Sequence, residues 1–183
     1  MINSVQRSQK KIENALSLLL MTQTLTKITS SQIAKEAQIS RASFYNYYKD
    51  KYDIIDCCQQ RVFQKLELVF AQFTTNRHQN ICQIFDILNQ ETLFSTLLLP
   101  NGSKEIHDFL RYKFQELVRE DLEIQGSKFL DRFETHENHY CIVYLSSAYF
   151  TVCQTWISQG KKESPSQMAD FLLKMIKPYH LSS

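Results

Sequence analysis

The part of the chain best equipped for chemistry is residues 30–51, where polar and basic side chains alternate with short apolar stretches. Five side chains have the small size or hydrogen-bonding groups that suit base edges in a major groove of DNA: Arg41, Ala42, Ser43, Tyr45 and Asn46. Six more suit phosphates, through hydroxyls, charge or a helix N-terminus: Thr29, Ser30, Ser31, Tyr47, Lys49 and Lys51. The pattern fits a DNA-binding surface, and it also fits an ordinary helical hairpin with a polar outer face.

Two short helices joined by a tight turn would position these side chains. Thr29 followed by Gln32 has the form of a capping box and predicts where the first of them begins. Ala34 and Ala37 are small enough to let a second helix cross closely, and that helix is predicted from Arg41 to about residue 47. This geometry is that of a helix-turn-helix, whose second helix faces away from the body.

The remainder of the chain also predicts helices, and we expect an all-α protein. It has only three glycines and three prolines, too few for the many turns of a β fold, and its apolar residues recur with a period near 3.6. Asp50 is a predicted N-cap of a long fourth helix. The other predicted helices are a first one ending before residue 22, then 79–98 with a break near residue 89, 103–122, a short one at 126–133, 137–159, and a last one after the Ser164 cap.

Charge is divided unevenly along the chain. Residues 1–51 hold eight Lys and Arg against three Asp and Glu, a net charge of +5, whereas residues 52–183 hold thirteen against sixteen, a net charge of −3. A basic amino end suits a polyanion. We therefore expect a helix-turn-helix domain at residues 1–50 and a helical body, for effector binding and dimerisation, at residues 51–183.

Several other classes of function are disfavoured. The five cysteines are odd in number and show no CxxC spacing, which argues against disulfides and zinc. His136 and His139 lack the spacing of a zincin helix, so we expect no metal, no cofactor and no catalytic residues. The apolar runs are too short for a membrane span, and the first run is interrupted by Glu13 and Asn14. We expect a cytoplasmic protein without membrane contact.

The window from residue 29 to residue 51 resembles the DNA-binding signature of the tetracycline-repressor (TetR) family. The matching residues, in register over about 23 positions, are Thr29, Ile33, Ala34, Ala37, Ile39, Ser40, Arg41, Ala42, Ser43, Phe44, Tyr45, Tyr47, Tyr48 and Lys51. The sequence departs from the family where Gln38 replaces a common turn glycine, where Ala42 replaces a frequent glycine, and where Tyr48 replaces the usual phenylalanine.

The resemblance implies roles for individual residues. Arg41, Ala42, Ser43 and Asn46 would read bases while Tyr45 grips the backbone, and the predicted phosphate contacts are Thr29, Ser31, Tyr47 and Lys51. It also implies a homodimer formed by the last two helices, a palindromic double-stranded operator and, most commonly, ligand-relieved repression. A small apolar or aromatic effector would bind among aromatic side chains that could equally be core: Phe63, Phe70, Phe85, Phe109, Tyr112, Phe129, Tyr140 and Tyr144.

Two alternatives stay open at the level of the sequence. The first keeps the DNA-binding domain but replaces the small ligand with a partner protein, as in a coactivator or constitutive regulator. The second is an α-helical adaptor or enzyme that does not bind DNA.

Overall fold

The computed structural model describes residues 4–72, 76–100, 102–124, 134 and 136–176. Over those residues the regular secondary structure is helical, without strands, which confirms the predicted all-α class. The helices are α1 Ser4–Leu20, α2 Ser30–Glu36, α3 Arg41–Tyr45, α4 Lys51–Phe70, α5 Arg77–Gln90, α6 Thr92–Leu98, α7 Lys104–Ile124, α8 Asn138–Ser158 and α9 Pro165–Ile176, with a 3₁₀ turn at Leu25–Lys27. The helix predicted at 126–133, with Phe129, lies outside the described residues.

The starts of three helices are set by short-range capping. Thr29 Oγ1 accepts from the backbone N–H of Gln32, whose side chain accepts from the Thr29 N–H, and this confirms the predicted capping box. Asp50 accepts from two backbone N–H groups of α4, as an N-cap carboxylate should. Ser164 and Gln167 form the same reciprocal pair before α9.

The helix-turn-helix segment differs from the prediction in where its second helix ends. The structure ends α3 at Tyr45, two residues early, because the chain must turn there to bury Tyr48, which is 2% exposed. Gln38 lies at φ 55°, in the left-handed region that favours glycine, and this is the position where the TetR pattern commonly has one. The break near residue 89 falls between α5 and α6, at Glu91.

One apolar core runs from the amino-terminal helices into the body. Helix α1 packs against α2 and α6, α4 contacts α5, α6 and α7, α5 packs against α9, and α7 packs against α8. The core includes Ile12 of α1, Phe44 of α3 and Phe94 of α6, all fully buried. Because α1 contacts the body as well as α2, a boundary at residue 50 stays a prediction. No helix within the described ranges is both long and apolar enough to span a bilayer.

Candidate nucleic-acid interface

One face of helix α3 packs against the rest of the protein, and the opposite face is exposed to solvent. Ser40 Oγ accepts from the Ser43 N–H at 3.0 Å and so caps the helix, while Phe44 is fully buried and packs against the Tyr48 ring. The opposite face carries the predicted base-reading side chains. Of these, Arg41, Ala42, Tyr45 and Asn46 are exposed, and Ser43 is half-buried with its hydroxyl bonded to that of Ser40.

Arg41 and Tyr45, one turn apart, form a joined polar pair on this face. The guanidinium Nη2 donates to the Tyr45 hydroxyl at 3.4 Å and lies 5.6 Å from the ring centroid. This hydrogen bond from Arg41 lowers the pKa of Tyr45. The pair presents several donors at fixed separation, which suits a base edge or a phosphate.

The residues predicted to contact phosphates, apart from Lys51, fall into two groups according to how exposed their side chains are. Ser31 and Lys49 are exposed, and Thr29, also exposed, uses its hydroxyl in the capping box. Ser30 and Tyr47 are half-buried. These five line the flanks of α2 and α3, where backbone phosphates would pass if α3 occupied a groove.

Lys51 has a structural role that the sequence did not indicate. Its ammonium donates to the carbonyls of Leu25, Thr26 and Ile28 at 2.7, 3.1 and 2.8 Å, and so holds the 3₁₀ turn against the start of α4. An ammonium has three donors, and all three are used. In this structure the Lys51 ammonium therefore points toward the protein backbone, and the phosphate contact that the family resemblance implies for it stays a prediction.

Behind the interface lies a network of charges built around two buried glutamates. Arg61 of α4 donates to both oxygens of Glu13 on α1, at 2.8 and 2.9 Å, and to Glu91 at the α5–α6 junction, at 3.1 Å. Lys65 and Lys10 also contact Glu91, at 2.7 and 3.4 Å. Glu13 and Glu91 are only 2% and 5% exposed. The network joins the amino-terminal helices to the body.

The same network reaches the recognition segment through Tyr48. Its buried hydroxyl donates to Glu13 Oε1 at 3.3 Å, which gives a reason for tyrosine where the family usually has phenylalanine. Burial and the nearby Glu13 charge raise the pKa of Tyr48. Burial alone would raise the pKa of Glu91 too, but the hydrogen bond from Lys65 and the charges of Arg61 and Lys10 outweigh it and lower that pKa to about 2.

The described phenylalanines among those predicted to line an effector pocket, Phe63, Phe70, Phe85 and Phe109, pack against other aromatic rings of the body. Phe63 and Phe109 are stacked, with ring centroids 3.7 Å apart. Phe70 meets Phe114 edge to face, and Phe85, which is 1% exposed, meets Trp156 in the same way. Such pairs are the usual arrangement of core aromatics.

The predicted pocket tyrosines lie at the surface. Tyr112, Tyr140 and Tyr144 are 57%, 69% and 74% exposed, so they do not line an enclosed cavity within this chain. The reason is their position on the outer faces of α7 and α8. Phe129 lies outside the described residues, and an aromatic effector pocket stays a prediction.

A cleft of about 820 Å³ opens between the amino-terminal helices and the body. One wall is formed by the end of α1, the segment that follows it and the first turns of α4, and the other by the α6–α7 turn and the start of α7. Its lining includes Leu20, Leu25, Tyr52, Asp56, Leu97 and Glu105. None of the predicted pocket aromatics belongs to this lining.

Metal-ligating side chains are dispersed in the part of the chain that the structure describes. There, no three His, Cys, Asp or Glu side chains come together as a metal site requires. The five cysteines are free thiols, and burial raises the pKa of Cys58 and Cys153 to about 12.

Comparison with known proteins identifies relatives among transcription regulators. A protein-family model described as "Transcriptional regulator C-terminal region" matches residues 75–178. The curated protein YxbF of Bacillus subtilis, an uncharacterized HTH-type transcriptional regulator, is 25% identical over 121 residues. That match covers 62% of this chain and 31% of YxbF, so the chain spans about a third of this relative's length.

Solved structures share the fold along nearly the whole chain. The transcriptional regulator FadR of Bacillus subtilis, in complex with stearoyl-CoA, is similar with a TM-score of 0.55 at 16% identity, covering 91% of this chain and 96% of FadR. The dihydroxyacetone kinase operon activator DhaS is similar with a TM-score of 0.51 at 16% identity, covering 92% and 93%. At these identities the likeness is one of fold.

Proposed function

Because the chain belongs to the TetR family of transcriptional regulators, whose members are not enzymes, we propose that it binds a palindromic operator as a homodimer by placing α3 in the major groove. The observation that carries the proposal is the face of α3. Buried Phe44 anchors the helix, and Arg41, Tyr45 and Asn46 project from the opposite side. Thr29, Ser31 and Lys49 would bind the flanking phosphates.

The surface of α8 and α9 supports dimerisation through these helices. Helix α8 is apolar around most of its circumference, and Tyr140, Tyr144 and Ala148 lie exposed at four-residue spacing along one face. Phe171 and Met175 are exposed on α9, at 44% and 56%. Large apolar side chains exposed in a row are typical of an interface. In the dimer, two α3 helices would have to sit about 34–36 Å apart to meet successive major grooves.

The second part of the proposal is that the protein represses its target genes and that a small molecule relieves this repression. The similar protein FadR was solved with stearoyl-CoA, which supports a small-molecule effector for this chain. The similar protein DhaS is named an operon activator, and this favours, as a second candidate, activation rather than repression of the target genes. A regulator that reads an operator must share a compartment with the DNA, so we place it in the cytoplasm.

Binding to the DNA that flanks its own coding region tests the proposal. Fluorescence anisotropy would measure the affinity of the purified protein for that duplex in a salt series. We expect the logarithm of the association constant to fall linearly with the logarithm of salt concentration, with a slope near −0.9 per neutralised phosphate. A protein that ignores the duplex at low salt would contradict the proposal.

Arginine variants make the test specific. Arg41→Ala should weaken specific binding by about 1–3 kcal/mol, roughly 5- to 150-fold, if the guanidinium reads a base. The matched control is Arg119→Ala, since Arg119 is an exposed arginine on α7, far along the chain from α3. Equal losses in the two variants would show that only net charge matters, and α3 would not be the reading helix.

A further inference from the structure

A continuous series of hydrogen bonds connects the recognition helix α3 to the body. It begins at Tyr48, whose ring packs against Phe44 of α3 with the ring centroids 6.5 Å apart. The Tyr48 hydroxyl donates to Glu13 on α1, and both Glu13 oxygens accept from Arg61 on α4. Arg61 also donates to Glu91 at the α5–α6 junction. The network around the two glutamates therefore contacts the inner end of α3 and the body at once.

Helix α1 is bonded to the body at points spread along one of its faces. Lys10 donates to the Gln90 carbonyl at 3.0 Å. About two turns further along, the Ser17 hydroxyl bonds to that of Thr96 on α6 at 2.6 Å. Glu13 lies between these two points on the same face. Contacts separated by about 10 Å along a helix axis resist rotation about any one of them, so α1 is held in a single orientation.

The bonds between Glu13 and Arg61 are suited to fixing an angle between helices. A planar guanidinium that donates twice to one carboxylate restricts the relative orientation of the two groups, and so of α1 and α4. Glu13 and Glu91 are almost fully buried, so salt screens their ion pairs less than it screens surface pairs. The Tyr48 hydroxyl bonds to the same carboxylate and so ties the end of α3 to this rigid part of the network.

We propose that Tyr48, Glu13 and Arg61 are positioning residues that set the spacing between the two α3 helices of the dimer. Both helices must meet successive major grooves, about 34–36 Å apart, and each is oriented by the network of its own protomer. A loosened network reaches the required orientation only part of the time. Apparent affinity falls by the competent fraction in each protomer, so a fraction of about one third in both gives a loss of about ninefold. The inference rests on the proposed function, whose homodimer and operator it uses.

Three duplexes separate spacing from the reading of bases. The first is the operator in the DNA that flanks the coding region, the second is that operator with two base pairs inserted between its half-sites, and the third holds one half-site. The insertion turns one half-site by about 70° relative to the other, since duplex DNA has about 10–10.5 base pairs per turn. A single half-site makes no demand on spacing. Fluorescence anisotropy would measure the affinity of the full-length protein for each duplex.

The variant Tyr48→Phe removes one hydroxyl from the network and keeps the ring that packs against Phe44. We expect it to bind the operator about fivefold or more weakly, while its affinity for the single half-site changes by less than about twofold. It should also lose most of the wild-type preference for the operator over the duplex with the insertion. Equal losses on the operator and the half-site would mean that Tyr48 only supports the shape of α3, and unchanged affinity for both would mean that it has no positioning role. Either result would overturn the inference.

A second variant acts at a distance from α3. Lys10→Met removes the ammonium that α1 places against Glu91 and the Gln90 carbonyl, and it should lower the ratio of operator to half-site affinity in the same way. The matched controls are Lys11→Met, the same loss of charge at an exposed neighbour, and Tyr52→Phe, the same loss of a hydroxyl from a half-exposed ring of α4. Neither control should change that ratio. A general loss of stability lowers the affinity for all three duplexes alike, so it also leaves the ratio unchanged.

The wild-type protein separates this inference from the proposed function. If it binds the operator and the duplex with the insertion equally well, DNA binding stands and the positioning role is overturned. If it binds none of the three duplexes at low salt, the proposed function is wrong and the positioning role falls with it.

Discussion

Replacing Arg61 by methionine tests whether the buried charge network is an energetic unit. Arg61 makes two hydrogen bonds to Glu13 and one to Glu91, and the two glutamate side chains are 3% and 7% exposed. In the variant, Glu91 keeps Lys65 and Lys10, but among the residues that the structure describes Glu13 keeps only the Tyr48 hydroxyl as a partner. Arg61→Met therefore leaves one buried carboxylate almost without partners.

The expected cost follows from that unpaired carboxylate. Removing one partner of a buried ion pair costs about 3–5 kcal/mol, and because the Arg61 side chain is 38% exposed we reduce this to about 2–4 kcal/mol. Adding Glu13→Gln should restore part of the stability.

Urea denaturation at a fixed protein concentration measures these free energies of unfolding. The single tryptophan, Trp156, is 2% exposed and packs on Phe85, so its fluorescence reports loss of the core. A double-mutant cycle over Arg61→Met and Glu13→Gln should give a coupling of at least about 1.5 kcal/mol. Additive effects within about 0.5 kcal/mol would refute the reasoning.

Three further predictions use equilibrium measurements on single variants. Gln38→Gly should raise the free energy of unfolding by about 0.5–1 kcal/mol, because relief of the left-handed strain exceeds the added entropy of the unfolded chain. A lower urea midpoint than that of the wild type, at an unchanged m-value, would contradict it. The Glu91 pKa of about 2 lies below its unfolded value, so the contribution of this carboxylate to stability should fall by about 2–3 kcal/mol from pH 4.5 to pH 2, and the Glu91→Gln variant should lose correspondingly less stability than the wild type over that range. Tyr144→Glu, which puts a charge on the exposed face of α8, should shift sedimentation from dimer to monomer with unchanged helix content, and a persistent dimer would exclude this interface.

Part of the DNA-binding end could be predicted because its signals are local. Thr29 with Gln32, and Asp50 with the N–H groups that follow it, contact residues only two or three positions away. The exposed face of α3 follows from the burial of Phe44 within the same turn. The extent of α3 was overestimated because its end depends on Tyr48, whose buried position is decided by contacts outside the segment.

Other roles were missed because their partners are far apart along the chain. The sequence alone determined the helical class, the helix starts and the position of the helix-turn-helix, since hydrogen bonds within a turn or two specify them. Only the tertiary structure decided that Glu13, Arg61 and Glu91 share one buried network, that Lys51 holds a 3₁₀ turn rather than facing solvent, and that the cleft lies at the junction. Local sequence patterns predict that a charged side chain is exposed to solvent. Burial of Glu13 and Glu91 becomes favourable only because the packing of α1, α4 and the α5–α6 junction brings an opposite charge to each of them.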